Sequence, residues 1–472
     1  MKNSYFCTAF GLRAGLVAAG ILLLAACAPG QDNPNPTTTI DVTRYVAVGD
    51  SYTAGVSAGG LTRASQNYSF PNLLAQQLSR ASTVATFSQP LLEDGSGSGY
   101  LTLVEYIPTT GVPRVRRVGG QAVVRSVINP AACGGPDTVR LLSRNATSAS
   151  LPQNLGVPGL QVGQIEVANL GNATNATPGG NFNPYFERLL PAADSRTYLQ
   201  TVTTASTSAT FFTFFMGLDN LLPYVRSGGT CGPLPFSSLT TLMKNNAKKL
   251  LDQLAANGRP GIIAILPDLN KLPLLRLGRG QQLQARLQVL FGDTARIYIE
   301  NPFGGGAPQV ISDDDYVLAN VLPRVGLRTA VVVNGVTMQL PYGRNIRNPI
   351  RNADVLDGDE YNRIKGVLTS YNTELVRLAS EVYKFPSLSP TPAKSALDTN
   401  AAFPNNLGES ISISGVEYSG ELVRGNFFSL DYYTLTPRGN ALLANAFITA
   451  INRAYRSNIP AVDANALPTT AQ

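Results

Sequence analysis

The sequence predicts an α/β protein built on a parallel, doubly wound sheet, and two observations support this fold class. Short apolar runs typical of buried strands lie at residues 43–49, 210–217 and 261–268, and each ends in or is followed by a turn containing Gly, Asp or Pro. Stretches with apolar residues at helical spacing lie between these runs. Alternating strands and helices favour a parallel sheet covered on both faces, with ligands bound at the carboxyl ends of the strands.

The main elements follow in order along the chain. The first strand, TRYVAVG (43–49), leads into Gly49-Asp50-Ser51, and the helical pattern FPNLLAQQLSRA (70–81) follows. The strands TFFTFFMG (210–217) and GIIAILPD (261–268) are separated by a helical stretch at 239–258. The last helix, 436–455, carries one apolar face, formed by Leu442, Leu443, Phe447, Ile448 and Ile451.

Two regions interrupt this alternation and are predicted to be β-rich insertions. One lies near 90–150 and contains the strand-like pieces LTLVEYI and QAVVRSV. The other lies near 300–345, where Asn334-Gly335 between β-rich runs is a strong hairpin signal. ISISGVEYSG (411–420) alternates and predicts a further small β-element. We therefore expect one domain over 43–457, decorated by these insertions, and a C-terminal tail at 458–472.

The N-terminus predicts export and a lipid anchor. A basic leader and the apolar run AGLVAAGILLLAA end in Leu24-Ala25-Ala26-Cys27, the pattern of a lipoprotein signal peptide at 1–26. The alternative, a transmembrane helix, fits less well because the run is shorter than the roughly 20 residues that span a bilayer. Cys27 would carry the lipid, and 27–42 would be a polar tether. The predicted location is the bacterial cell envelope, at the outer membrane, on either its periplasmic or its surface face.

Two further cysteines predict a disulfide, and the charge balance bears on the expected partners. Cys133 and Cys231 lie in Gly-Pro turns, and in an exported protein they predict one disulfide; two free buried cysteines are the alternative. The formal net charge of +7 is mild for 472 residues, and no dense basic cluster with interleaved aromatics occurs. Nucleic acid is therefore excluded as an expected partner.

Gly49-Asp50-Ser51, directly after a predicted strand, is the most specific chemical signal. A serine on a tight turn at a strand's carboxyl end can act as a nucleophile, with nearby backbone amides stabilising an oxyanion. The structural alternative is a plain turn with an N-cap serine. The chain contains no histidine, so imidazole cannot be the base that activates this serine.

With these motifs the chain resembles the SGNH hydrolases, also called GDSL lipases or esterases, over about residues 43–455, and in particular the long lipoprotein members. GDSYTAG matches the nucleophile block, which implies Ser51 as nucleophile and as an oxyanion-hole donor. NLGVPG (154–159) matches the second block, which implies Gly159 as the second donor. The resemblance also implies a flavodoxin-like, three-layer α/β/α fold and hydrolysis of carboxylic esters of glycans or lipids.

The third and last blocks match with departures at catalytic positions. FFMGLDNLLPYV puts Asp219 where the family has its oxyanion-hole asparagine, with Asn220 one place late. SLDYYTLTPRG keeps Asp431 but puts Thr434 at the position of the catalytic histidine. Threonine is not basic, and loss of such a base costs about 10⁴- to 10⁶-fold in turnover. An ionised Asp219 would also repel a developing oxyanion, so two changes weaken the same site.

Two functions, together with a purely structural lipoprotein, remain open at this point. The departures favour a ligand-binding protein of weak or no turnover, whose ligand is an ester-bearing glycan or lipid. The alternative is an active serine esterase in which Asp431 or Asp219 replaces the missing base. No cofactor is expected. Asp313-Asp314-Asp315 lacks the spaced pattern of a calcium loop and predicts a solvated acidic turn, so no metal site is expected either.

Overall fold

Five parallel strands form the central sheet. The computed structural model describes residues 36–82, 87–94, 97–107, 112–120, 123–127, 137–142, 150–176, 181–191, 194–231, 235–301, 306–388, 395–404 and 410–470. The sheet strands are β1 (Tyr45–Gly49), β2 (Asn154–Gly156), β3 (Phe211–Phe215), β4 (Gly261–Ile265) and β5 (Leu397–Asp398). Their order is β5-β4-β3-β1-β2 and every neighbouring pair is parallel. The predicted α/β class with a parallel sheet is therefore confirmed.

Every residue of β1, β3 and β4 is buried, which explains why these strands are continuous apolar runs. A parallel strand covered by helices on both faces has no solvent face and hence no polar alternation. The principal helices are α1 (Phe70–Ala81), α2 (Tyr198–Ser206), α3 (Leu218–Arg226), α4 (Phe236–Leu254), α5 (Gly358–Arg377) and α6 (Pro437–Tyr455). Further α-helices span Ser51–Ala54, Arg63–Asn67, Pro184–Glu187, Pro273–Arg276 and Gly280–Phe291.

The phenylalanines of β3 contact helical layers on both faces of the sheet. Phe215 packs edge-on against Phe70 of α1 at 6.1 Å between ring centroids, and Phe70 stacks on Phe447 of α6 at 4.8 Å. Phe212 has the opposite orientation in the alternating strand, and its ring lies 5.9 Å from Phe385, beyond the end of α5. The sheet is thus the middle layer between α1 with α6 on one side and α5 with α2 and α4 on the other.

The β-rich regions form small antiparallel ladders separate from the central sheet. In the turn between Arg328–Val333 and Val336–Pro341, Asn334 and Gly335 have φ values of 50° and 81°, both in the left-handed region that a type I′ turn requires. This confirms the predicted hairpin. The other ladders pair Tyr100–Ile107 with Val112–Val118, Val123–Val127 with Asp137–Leu141, Tyr298–Ile299 with Gln309–Val310, Tyr316–Val317 with Val355–Leu356, and Ser410–Ile413 with Val416–Ser419.

Both ends of the described chain pack on the body. Thr37, within the predicted tether, exchanges backbone hydrogen bonds with Asn458. In the predicted tail, Ile459 and Val462 are buried, and their carbonyls accept from Asn452 and Asn445 of α6. The predicted signal peptide, Cys27 and the first part of the tether lie outside the described residues, and so does Cys133. Among the described residues no helix is long and apolar enough to span a membrane.

The Cys133–Cys231 disulfide stays a prediction. Cys231 follows α3, and its N–H donates to Ser227 Oγ at 3.1 Å. We expect non-reducing peptide mapping of exported protein to recover Cys133 and Cys231 in one linked pair. Reduction should then cost about 2–5 kcal/mol of stability. Recovery of both residues as free thiols would contradict the prediction.

Candidate functional site

The predicted site residues meet because three neighbouring strands end at one edge of the sheet. Gly49, the last residue of β1, pairs in register with Gly156 of β2 and Phe215 of β3. The segments after these strands carry Ser51, Gly159 and Asp219. Parallel pairing therefore brings together side chains and amides that are far apart in sequence.

Ser51 begins the short helix Ser51–Ala54 directly after β1 and is 7% exposed. This abrupt strand-to-helix turn needs glycine at position 49. A Cβ there would lie 2.0 Å from Thr53 Oγ1 and 2.2 Å from the Phe215 carbonyl oxygen. The turn leaves the Ser51 N–H at the start of a helix, where backbone amides have no partner within the helix.

Asp219 Oδ2 is the centre of the site. It accepts from Ser51 Oγ–H at 2.6 Å, from Ser51 N–H at 3.1 Å and from Gly159 N–H at 2.8 Å. Gly159 N–H also lies 3.3 Å from Ser51 Oγ. The two predicted oxyanion donors and the predicted nucleophile thus converge on one carboxylate oxygen. Three donors around one oxygen is an environment that favours an ionised carboxylate.

A second buried carboxyl, Asp50, lies beside the first. Its Oδ2 accepts from the N–H groups of Gly217 and Asp219, at 2.9 and 3.2 Å, at the start of α3. Burial, reinforced by the negative charge of Asp219, raises the pKa of Asp50 to about 8. Burial also raises the pKa of Asp219, and the Ser51 and Gly159 hydrogen bonds oppose this effect. The two carboxyls disfavour each other's charge, as expected for a close buried pair.

Asn220, predicted from the sequence as one of the oxyanion-hole residues, makes a different contact. Its Oδ1 accepts from Val162 N–H at 2.8 Å, beyond the Gly159 turn. One step along a helix rotates a side chain by about 100°, so Asp219 and Asn220 cannot face the same point. Asn220 therefore fixes the segment after Gly159, whereas Asp219 faces Ser51.

Asp431 and Thr434 contact each other but are occupied by their own loop. Asp431 Oδ1 accepts from the N–H groups of Tyr433 and Thr434 and from Ser429 Oγ–H, and Oδ2 accepts from Gly59 N–H at 2.7 Å. Thr434 Oγ1–H also donates to Asp431 Oδ2, at 2.6 Å, and Thr434 is 1% exposed. Threonine thus occupies a position beside the acid, but Ser51 is not among the hydrogen-bond partners of either residue.

The sequence did not single out four residues beside this site: Tyr52, Tyr433, Arg226 and Ser429. Tyr52 O–H donates to the Tyr433 carbonyl, and the Arg226 guanidinium lies 5.6 Å from the centroid of the Tyr433 ring. Tyr52 follows Ser51, and Tyr433 precedes Thr434. This proximity to motif positions is the one feature of the sequence that could have identified these two tyrosines as site residues. Arg226 has no such signal, because the turn of α3 places it there.

Ser429 and Leu430 of the 429–434 loop also line a cavity of about 270 Å³. Its lining includes Ser57, Leu101, Phe428, Ser429 and Leu430, and it is mainly apolar with a few hydroxyl groups. In the described part of the chain, no group of three or more Asp, Glu, His or Cys residues is arranged to hold a metal ion. Asp315 of the acidic run instead accepts from the N–H groups of Ser312 and Gly358.

Together, the parallel sheet and the serine at its carboxyl edge define an α/β protein with a serine-centred candidate site. Comparisons with known protein families, with curated protein sequences and with solved structures find no match to this chain.

Proposed function

We propose that this protein is an SGNH-like, lipid-anchored envelope protein that binds an ester-bearing ligand, with weak or no ester hydrolysis at neutral pH. The observation that carries the proposal is the position of Asp219 Oδ2 on the Ser51 and Gly159 amides. Those amides are the donors that would stabilise the negative oxygen of a tetrahedral intermediate. A ligand's carbonyl oxygen can use them only after the carboxylate leaves.

The acid of the last motif supports the same conclusion. Asp431 receives four hydrogen bonds from its own loop and one from Gly59 N–H, so its oxygens are satisfied without a catalytic partner. Thr434 has no basic atom. Ser51 therefore lacks the imidazole that activates a serine in such sites, and this favours binding over turnover.

One observation favours the alternative, an active esterase that uses Asp219 as base. Ser51 Oγ donates to Asp219 Oδ2 at 2.6 Å, and a raised pKa would make this carboxylate a better proton acceptor. The same oxygen then cannot fill the oxyanion hole during the reaction. Asp219 would have to release both amides while it stays within reach of Ser51 Oγ. Asp431 is a weaker candidate because none of its hydrogen bonds involves Ser51.

Asp219→Asn distinguishes the two roles. We expect the variant to hydrolyse a short-chain aryl ester such as 4-nitrophenyl acetate about tenfold or more faster than wild type, because removal of the negative charge opens the hole. The rate would be measured on full-length protein in mild detergent, with Ser51→Ala as the blank. A rate below that of wild type, in an otherwise folded variant, would assign Asp219 as the base. Rapid Ser51-dependent ester hydrolysis by wild type would contradict the proposed weak or absent turnover.

A further inference from the structure

Arg226 is an exposed cation beside the candidate site. It lies in the last turn of α3, the helix that begins next to Asp219. Its guanidinium has no ion pair or side-chain hydrogen bond with any residue in the described part of the chain, and it lies 5.6 Å from the centroid of the Tyr433 ring. A cation–π contact leaves the N–H donors at the guanidinium edge available to a ligand.

A second exposed arginine, in the hairpin strand Val112–Val118, contacts the segment around Gly59. Arg117 donates to the carbonyl oxygens of Gly59, at 2.9 Å, and Ser98, at 3.0 Å. Gly59 N–H in turn donates to Asp431. Burial and the Asp431 charge raise the pKa of Tyr433, whereas the charges of Arg226 and Arg117 both lower it.

The acids at the site do not neutralise these two charges by direct pairing. Asp219 and Asp431 are 8% and 7% exposed, and their oxygens accept from groups of the protein other than the arginines. The Arg226 charge lowers the pKa of Asp219 without a direct contact, and both arginines are exposed residues whose charge a ligand can reach. Guanidinium groups bind carboxylate, phosphate and sulfate oxygens with charge-assisted and often bidentate hydrogen bonds.

We propose that the ligand of this site is anionic, an ester that also carries a carboxylate, phosphate or sulfate group, and that Arg226 binds this group with Arg117 as a second cation. The inference rests on the proposed function for the position of the ester at Ser51. It adds the chemical class of the ligand. Arg226 is a specificity residue here, and it takes no part in activating the serine.

The test compares two probes of nearly the same shape, 4-acetoxybenzoate and the neutral 4-acetoxybenzamide. Affinities would be measured by NMR titration of full-length Ser51→Ala protein in detergent, so that turnover cannot interfere. We expect the anion to bind about tenfold tighter than the amide, a typical ratio for one charge-assisted contact. Arg226→Gln should remove the difference, and added salt should reduce it.

Arg80→Gln is the matched control, because Arg80 is an exposed arginine in the last turn of another helix, α1. It should leave the preference for the anion unchanged. Equal affinity for the two probes, absence of binding by either probe, or an equal loss in both arginine variants would overturn the proposal. The proposed function is tested separately, by the rate of ester hydrolysis of Asp219→Asn. That measurement does not depend on the charge of the probe.

Discussion

Thr434→His combined with Asp219→Asn is expected to raise Ser51-dependent ester hydrolysis at least about 10³-fold over wild type. The histidine would lie beside Asp431, which can orient an imidazole and stabilise its charged form. The asparagine would remove a negative oxygen from the Ser51 and Gly159 amides, where each donor to an oxyanion is worth roughly 3–4 kcal/mol. Thr434→His alone should remain close to the blank, since Asp219 still fills the hole.

The rate of 4-nitrophenyl acetate hydrolysis measures this gain. The matched control is Thr434→Gln with Asp219→Asn, which adds a side chain of similar length without a basic nitrogen. Thr434 is buried, so the larger side chain can itself destabilise the loop. Melting temperatures of all variants would separate this effect from catalysis. A folded His variant no faster than its Gln control would mean that the 429–434 loop holds the imidazole away from Ser51.

The stability of the protein is expected to fall as pH rises from about 4 to about 8, and Asp50→Asn should make this fall shallower. The folded-state pKa of Asp50 is raised to about 8, above its ordinary value near 4. Folding therefore favours the protonated carboxyl. The associated stability is fully present below the unfolded-state pKa and is lost as pH rises through the folded-state pKa. For an isolated group the loss would be on the order of 5 kcal/mol.

Thermal unfolding of wild type and Asp50→Asn across this pH range measures the effect. Burial raises the pKa of Glu360 to about 7, so Glu360 also lowers the stability as pH rises. The effect of Asp50 is therefore the difference in stability between wild type and Asp50→Asn at each pH. Asp94→Asn is the control, because this side chain is 91% exposed. We also expect Asp219→Asn to lower the pKa of Asp50, since the Asp219 charge is one of its causes. Parallel curves for wild type and Asp50→Asn would show that Asp50 is ionised in the folded state near neutral pH.

Much of the scaffold could be predicted from local patterns. The buried strands β1, β3 and β4 are continuous apolar runs, and α1, α4 and α6 have a helical spacing of apolar residues, so their positions follow from composition and period. Asn334-Gly335 identified its hairpin because both residues tolerate positive φ. The strands β2 and β5 have only three and two residues, too short to show any period.

Some features of the site could likewise be predicted from the sequence, and others were shown only by the structure. By itself, the sequence determined that the chain has no imidazole, that Ser51 follows a strand on a tight turn, and that acids or a threonine stand at the remaining motif positions. The tertiary structure alone decided which atoms meet: Asp219 Oδ2 occupies the two amides beside Ser51, and Asn220, the next residue, contacts Val162 instead. It also placed Arg226 over Tyr433. Such contacts depend on strand register and on helix rotation between segments that are far apart in sequence, and local sequence carries no record of either.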